Sequence, residues 1–389
     1  MEIAGLSREA SKSRIDFIDG LRGVAILAVI FYHAFVRWPD LYVYGNKFVG
    51  NPVLDTGIAG VNLFFIVSGF VILMTLRKCD GFFDFIARRW YRLFPAMFLC
   101  SVLVLLTSGL FPERPRGAID FWDLLPGLTF VGDGAGVHYL WDPLTNLFGV
   151  HVSSIEAAFW SLYVEVRFYI IFGLAYFFLS ERAGIGLVFF VWLLGQLSSF
   201  SENHLNSHFG PWDIGRHIFS ATHEILSATG IEWITGFLDS AAYGFFATGA
   251  LFFLFHVARN PQVFWLAVAT GLLSSVSLSS VINADLVLTL LFILAMSSSL
   301  LRNVLGSKAL LIVGFVSYPL YLLHENMMVA MIVKIGRAFP EMPAILIPLL
   351  PICVVFSLAW VIAEYAEPAT KAFLDVRSKT NRRQSYPVA

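Results

Sequence analysis

About ten runs of roughly 20 mainly apolar residues follow one another along this chain, the length a helix needs to cross a bilayer core about 30 Å thick. They are Leu21–Val36, Gly57–Leu76, Leu93–Phe111, Glu156–Leu179, Gly184–Phe200, Ala241–Val257, Gln262–Ile282, Asp285–Leu301, Ala309–Ile335 and Pro343–Ala363. The first is short, the ninth long. The thinnest division is the turn Asn283-Ala284-Asp285 between the seventh and eighth. In hydrocarbon each segment must satisfy its own backbone polar groups, so runs of this length are helices. The expected fold is therefore all-α, a polytopic transmembrane helix bundle. With 58% hydrophobic and 14% charged residues, both disorder and a water-soluble monomer are excluded. A net charge of −1 offers no basic field for nucleic acid. Cys79, Cys100 and Cys353 stand at no metal-binding spacing, which argues against a disulfide framework or a zinc site. Met1–Gly20 is charged and leads into the first run without a small-residue cleavage site, unlike a cleaved signal peptide.

Basic residues set the orientation. With the N-terminus in the cytoplasm, 18 Lys and Arg fall on the cytoplasmic side and 7 on the other, with Arg167 inside a span. That bias follows the positive-inside rule and places both termini inside. The expected organisation is a cytoplasmic N-terminal segment, 1–20, a transmembrane domain, 21–366, and a cytoplasmic polar tail, 367–389. Two long outer loops, 112–155 and 201–240, are rich in Gly, Pro, Trp and His. Loops of that length are functional or form a packed lid over helix ends.

Polar residues inside apolar spans are candidate functional groups, because burying them is expensive. Arg22 and His33 are separated by about 20° beyond three full helical turns, so they share a face about 16 Å apart. Arg22 suits the headgroup level. His33 lies beyond mid-membrane, and a neutral imidazole is the side chain best suited to act as a base near pH 7. In the second span, Asn62 and Ser68 are expected to face a polar cavity, while Gly60, Ser68 and Gly69 also suit close helix packing. Arg88, Arg89 and Arg92 precede the third span beside Trp90 and Tyr91. Guanidinium forks suit phosphate and the aromatics suit a purine, although a plain positive-inside anchor has the same composition. In the fourth span, Ser161, Glu165 and Tyr169 form a polar stripe next to Trp160. Glu165 and Arg167, two residues apart, cannot pair simply with each other. In the ninth, Ser317, Tyr321 and His324 share a face and Pro319 is expected to kink the helix. Each histidine also has a plain reading as an interhelical hydrogen-bonding group.

Five of these segments together resemble the acyltransferase-3 family, membrane proteins that O-acylate carbohydrates, chiefly in bacteria. They are Arg22-x10-His33, Gly60-Val61-x-Leu63-Phe64-Phe65-Ile66-Val67-Ser68-Gly69-Phe70, Arg88-Arg89-x-x-Arg92-x-x-Pro95, Trp160-Ser161-Leu162-x-x-Glu165 and Ser317-Tyr318-Pro319-Leu320-Tyr321-Leu322-x-His324. The family often has an acidic residue where this chain has Asn62. The chain looks like the stand-alone form, without an appended esterase-like domain.

The resemblance implies an acyl-CoA donor, with acetyl-CoA expected, on the cytoplasmic side and a carbohydrate or glycolipid acceptor on the far side. No tightly bound cofactor and no metal is expected. In that reading Arg22, Arg88, Arg89 and Arg92 hold the CoA phosphates and the thioester ends near His33. Ser68, Trp160, Ser161, Tyr169, Ser317, Tyr321 and His324 line the substrate path. His33 is the general base on the acceptor hydroxyl and Glu165 orients its imidazolium. An acyl-His33 relay is the competing course. The acceptor class stays open among exopolysaccharide, lipopolysaccharide, a small glycolipid and an antibiotic sugar. Two other classes fit the buried charges: a glycan transporter or flippase with an intramembrane proton pathway, and a non-catalytic scaffold.

Overall fold

Charge at helix ends and glycine at helix crossings explain most of the architecture. In a computed structural model of the chain, residues 15–111, 113–115, 117–132, 141–149, 152–205, 231–275 and 283–369 are described. Most of the N-terminal segment, most of loop 201–240 and nearly all of the polar tail lie outside them. All regular structure among the described residues is helical. The main helices are α1 (Asp16–Phe35), α2 (Gly60–Leu76), α3 (Phe82–Thr107), α4 (Trp160–Phe178), α5 (Glu181–Leu205), α6 (Ala242–Ala258), α7 (Pro261–Ser275), α8 (Ala284–Ser297), α9 (Ser299–Leu305), α10 (Lys308–Leu323), α11 (Val329–Ala338) and α12 (Leu349–Val361).

Each of the ten apolar segments holds at least one of these helices, but they are unequal. Among the described residues, five helical stretches are long and apolar enough to cross a membrane, and six if α8 and α9, bent by 112°, count as one. Helix α6, at 17 residues, stands at the short limit of a span. Asn283 caps α8 by accepting from the Leu286 N–H at 2.9 Å, so the thin division is a true helix start. Asp16 and Asp19 in the first turn of α1 match the helix dipole. Helix α3 begins eleven residues before the expected Leu93, at Phe82, which puts all three arginines of the cluster on a helix.

Glycine sets the crossings. A Cβ at Gly69 would run into the Phe246 carbonyl and one at Gly249 into the Ile66 carbonyl, so α2 and α6 meet backbone to backbone. Gly23 and Gly314 do the same for α1 and α10 against the carbonyls of Leu310 and Asp19. The starts of α1, α3, α5 and α10 and the ends of α2 and α6 share one end of the bundle, called here the basic end. There Arg77 chelates Glu181 and lies over the Phe253 ring.

The described part of 112–155 does not stay at the opposite end. Phe111 lies beside Lys334 and Glu113 pairs with Arg337. The chain then runs back along α3: Gly127 sits against Met97 and Phe159, and the Phe130 ring meets Trp90 edge-on at 5.6 Å. Trp90 is roughly 25 Å of helix below Thr107.

Candidate functional site

Five helices enclose a cavity of about 720 Å³, a volume that includes the space at its open mouth. Helix α1 contributes Arg22; α2 contributes Phe64, Phe65 and Ser68; α3 contributes Arg89, Arg92 and Leu93. Helix α4 supplies Ser161, Glu165 and Tyr169, and α10 supplies Ser317, Tyr318 and Tyr321. Nine residues singled out in the sequence thus meet around one space: Arg22, Ser68, Arg89, Arg92, Ser161, Glu165, Tyr169, Ser317 and Tyr321.

The cavity is polar in two different ways along its length. At the basic end stand Arg22, Arg89 and Arg92. Arg22 is 4.0 Å from Asp19. Arg89, only 8% exposed, donates to Thr75 Oγ1, and its guanidinium carbon is 5.8 Å from the Tyr169 ring. Farther in, Glu165 Oε1 accepts from both the Ser68 and Tyr169 hydroxyls. The stripe Ser161, Glu165, Tyr169 faces inward because i, i+4, i+8 lie one above another on a helix. At the inner end Tyr321 OH donates to the Ala158 carbonyl at 2.8 Å. Ser161 Oγ is also 2.8 Å from the Tyr321 hydroxyl and 3.3 Å from the same carbonyl, so the three groups close a hydrogen-bonded triangle. Ser317 Oγ is turned to the Gly314 carbonyl at 2.7 Å.

One turn past Tyr321, two histidines meet. The rings of His33 and His324 stand edge to face with centroids 4.6 Å apart. His33 Nδ1 is 2.9 Å from the Val29 carbonyl and His324 Nδ1 is 2.7 Å from that of Tyr321. A carbonyl only accepts, so each Nδ1 carries the hydrogen and each neutral ring keeps its lone pair on Nε2. Glu325 Oε1 is 3.9 Å from His33 Nε2, within ion-pair reach but too long for a hydrogen bond. His324 is fully buried, and its Nε2 has no hydrogen-bond partner among the described residues.

Irregular backbone assembles this inner cluster. Helix α10 runs on through Pro319, and the departure comes five residues later in a π-helical turn, His324–Met328. That turn buries His324, Glu325 and Asn326 in succession. A non-α segment before α4 meets them: Ala158 N–H donates to Glu325 Oε2 at 2.5 Å, Glu156 Oε2 accepts from Asn326 N–H at 2.9 Å, and Asn326 donates to the Ile155 carbonyl. On the other side, the loop after α1 returns two phenols. Tyr42 donates to the His33 carbonyl and Tyr44 to that of Ala34, satisfying acceptors that a helix end leaves open. Burial raises both phenols above their ordinary values, helped at Tyr42 by the charges of Tyr44 and Glu325, so they remain donors at neutral pH.

Other residues named from the sequence stand elsewhere. Glu165 does not meet His33; the carboxylate beside His33 belongs to Glu325. Arg88 is exposed and paired with Asp84 at 2.9 Å, because the inward pair on α3 is Arg89 and Arg92, at i and i+3. Trp160 is 46% exposed, with its ring edge-on to Phe65 at 6.2 Å, outside the cavity lining. Asn62 faces α8, donating to Asp285 Oδ1 at 2.8 Å, since six residues turn it about 240° away from Ser68. Arg167 donates to the Phe237 carbonyl and lies over that ring at 4.5 Å. Glu325 and Tyr42 were missed. An acid directly after His324 in an apolar run was the available signal for the first; nothing in the spacing marked the second. Among the described residues, no group of three or more His, Cys, Asp or Glu is arranged to hold a metal ion.

A family model described as an acyltransferase domain matches residues 15–364. O-acetyltransferase OatA of Staphylococcus aureus (strain NCTC 8325 / PS 47) is 28% identical over 184 residues, covering 42% of this chain and 25% of its own. An O-acetyl transferase of Shigella phage Sf6 is 29% identical over 191 residues, 48% of this chain and 53% of its own. Nodulation protein 10 of Rhizobium leguminosarum bv. viciae is 28% identical over 175 residues, with 43% and 45% covered. The matches thus span between a quarter and about half of these curated relatives. No solved structure matches the chain.

Proposed function

The chain belongs to the acyltransferase family whose domain covers residues 15–364, and from that premise we propose that it is a membrane O-acyltransferase. It moves an acyl group, acetyl in the simplest case, from cytoplasmic acyl-CoA to a hydroxyl of a cell-surface or lipid-linked carbohydrate. It does so as a multi-pass protein of a bacterial plasma membrane, with ten spans and both termini inside. The observation that carries this reading is the graded cavity. Three arginines at its mouth suit a polyphosphate, its middle is hydroxyl-lined, and two imidazoles, His324 with an Nε2 that has no hydrogen-bond partner among the described residues, stand one turn past its inner end.

Arg22, Arg89 and Arg92 hold the CoA phosphates, and the pantetheine arm runs inward past Ser68, Glu165 and Tyr169. His33 Nε2 takes the proton from the acceptor hydroxyl as the alkoxide oxygen bonds the acyl carbon. The C–S bond then breaks, and the imidazolium returns its proton to the departing CoA thiolate. Glu325 faces the charge that develops on His33, the part the sequence reading gave to Glu165. Keeping bulk water out of the dry His33–His324 cluster protects the thioester from hydrolysis.

The test is transfer from labelled acetyl-CoA to extracted surface glycans, wild type beside His33→Ala, with equal melting shown for both. A positioned base is worth about 10²–10⁴-fold, and a loss of that size in the variant is expected. Undiminished transfer by His33→Ala removes His33 from the chemistry. A glycan transporter would neither label glycan nor gain thermal stability from acetyl-CoA, whereas a ligand at 100 times its Kd stabilises by about 2.7 kcal/mol.

A further inference from the structure

A separate cavity of about 730 Å³, open to solvent, lies at the basic end where α6, α7, α8 and α9 meet. Arg259 and Arg302 line it with Phe255, Phe264 and Ser297, and none of its lining residues is acidic. Arg259 ends α6 in the left-handed region, φ 54°, which side-chain-bearing residues seldom adopt. Its N–H returns to the Phe255 carbonyl at 2.8 Å and its guanidinium lies over the Phe255 ring at 5.7 Å. The bend between α8 and α9 carries Arg302 back over the end of α8, where Nη1 donates to the Ala295 and Met296 carbonyls at 3.2 and 3.0 Å.

Among the described residues no carboxylate neutralises the charge of these two arginines. Other arginines near this end are paired: Arg77 holds Glu181 and Arg88 holds Asp84. Among the described residues, neither Arg259 nor Arg302 forms an ion pair with a carboxylate. One wall is aromatic, with Phe255 and Phe264 5.0 Å apart and Trp265 against Phe264 at 5.3 Å. Trp265 is 67% exposed, on the surface a membrane would cover. An unneutralised basic hollow beside an apolar aromatic wall suits a phosphate that carries acyl chains.

We infer that this cavity binds the headgroup of an anionic phospholipid. The phosphate sits between Arg259 and Arg302 and an acyl chain runs down past Phe264 and Trp265. Basic hollows between transmembrane helices on the cytoplasmic side recognise such headgroups through charge.

The experiment places the full chain in nanodiscs of phosphatidylcholine with and without phosphatidylglycerol, and compares melting temperature and retained phosphatidylglycerol by native mass spectrometry. Wild type is expected to melt higher with phosphatidylglycerol and to retain it. Arg259→Gln and Arg302→Gln should each weaken retention roughly fivefold, the weight of one basic residue near an anionic surface. Lys78→Gln, an exposed cation elsewhere on this end, should behave as wild type. Arg302→Gln also loses the carbonyl contacts to α8, so Arg259→Gln, which loses none, decides if that variant misfolds. Equal retention by Arg259→Gln and wild type overturns the assignment. So does a melting shift that inorganic phosphate alone reproduces, because the site would then take free phosphate.

Discussion

The mouth of the cavity and the histidine cluster beyond it are built in opposite ways. Arg22, Arg89 and Arg92 project from regular helices, about two to three turns from a helix end, and Arg92 is exposed. His33, His324 and Glu325 are held by a π-turn, a 3-10 turn before α4 and a tyrosine returned from a loop. Long cations on regular helices can adjust to a ligand. A cluster whose imidazole Nδ1 atoms and Glu325 carboxylate are already held by backbone groups cannot. The mouth is thus suited to binding and the inner cluster to a fixed geometry of reaction.

The sharpest way to break this contrast is at Glu325. Glu325→Ala leaves the Ala158 N–H buried without its acceptor, so it should cost about 1–3 kcal/mol of stability as well as activity. Glu325→Gln keeps an acceptor for that N–H and removes the charge. It should recover most of the melting temperature while kcat stays at least tenfold down. If the two variants behave alike in both readouts, Glu325 is only a packing group. A middle-sized effect is expected at the mouth. Arg89→Ala or Arg92→Ala should raise KM for acetyl-CoA about tenfold, near 1.4 kcal/mol, with kcat little changed. Arg88→Ala, turned away to Asp84, should leave KM as it is. Equal effects at 88 and 92 would mean that the mouth works as a diffuse field and not through placed forks. The smallest effect belongs to Tyr42→Phe. Losing one donor to the His33 carbonyl should cost about 0.5–1.5 kcal/mol and lower kcat a few-fold with KM unchanged. A change in KM alone would detach Tyr42 from the histidine.

What could be read in the sequence follows the same division. The stripe Ser161, Glu165, Tyr169 and the face Ser317, Tyr321, His324 obey a 3.6-residue period, and a period is visible in a string of letters. All three arginines of α3 were expected at the phosphates, yet only Arg89 and Arg92 line the cavity and Arg88 turns out to Asp84, because the letters do not mark which helix face is inward. Asn62 was grouped with Ser68 by proximity in sequence, although its turn about the axis points it to Asp285. Glu325 and Tyr42 reach His33 through a π-turn and a loop, which carry no period. Hydropathy likewise found a helix in every apolar segment but could not show the 112° bend between α8 and α9.

The backward run of 117–132 along α3 bears on how this protein's topology would be mapped. A reporter or cysteine placed near Phe130 would sit against Trp90, well below the Thr107 end of α3. Impermeant reagents from either side would leave it unmodified, and bookkeeping by sidedness would score that silence as an extra crossing. Labels at Glu113 and Arg337, paired at the end opposite the basic one, would score correctly. A sidedness map of this chain should therefore be anchored on that pair and on Arg77 with Glu181, and treat silence between 117 and 132 as depth.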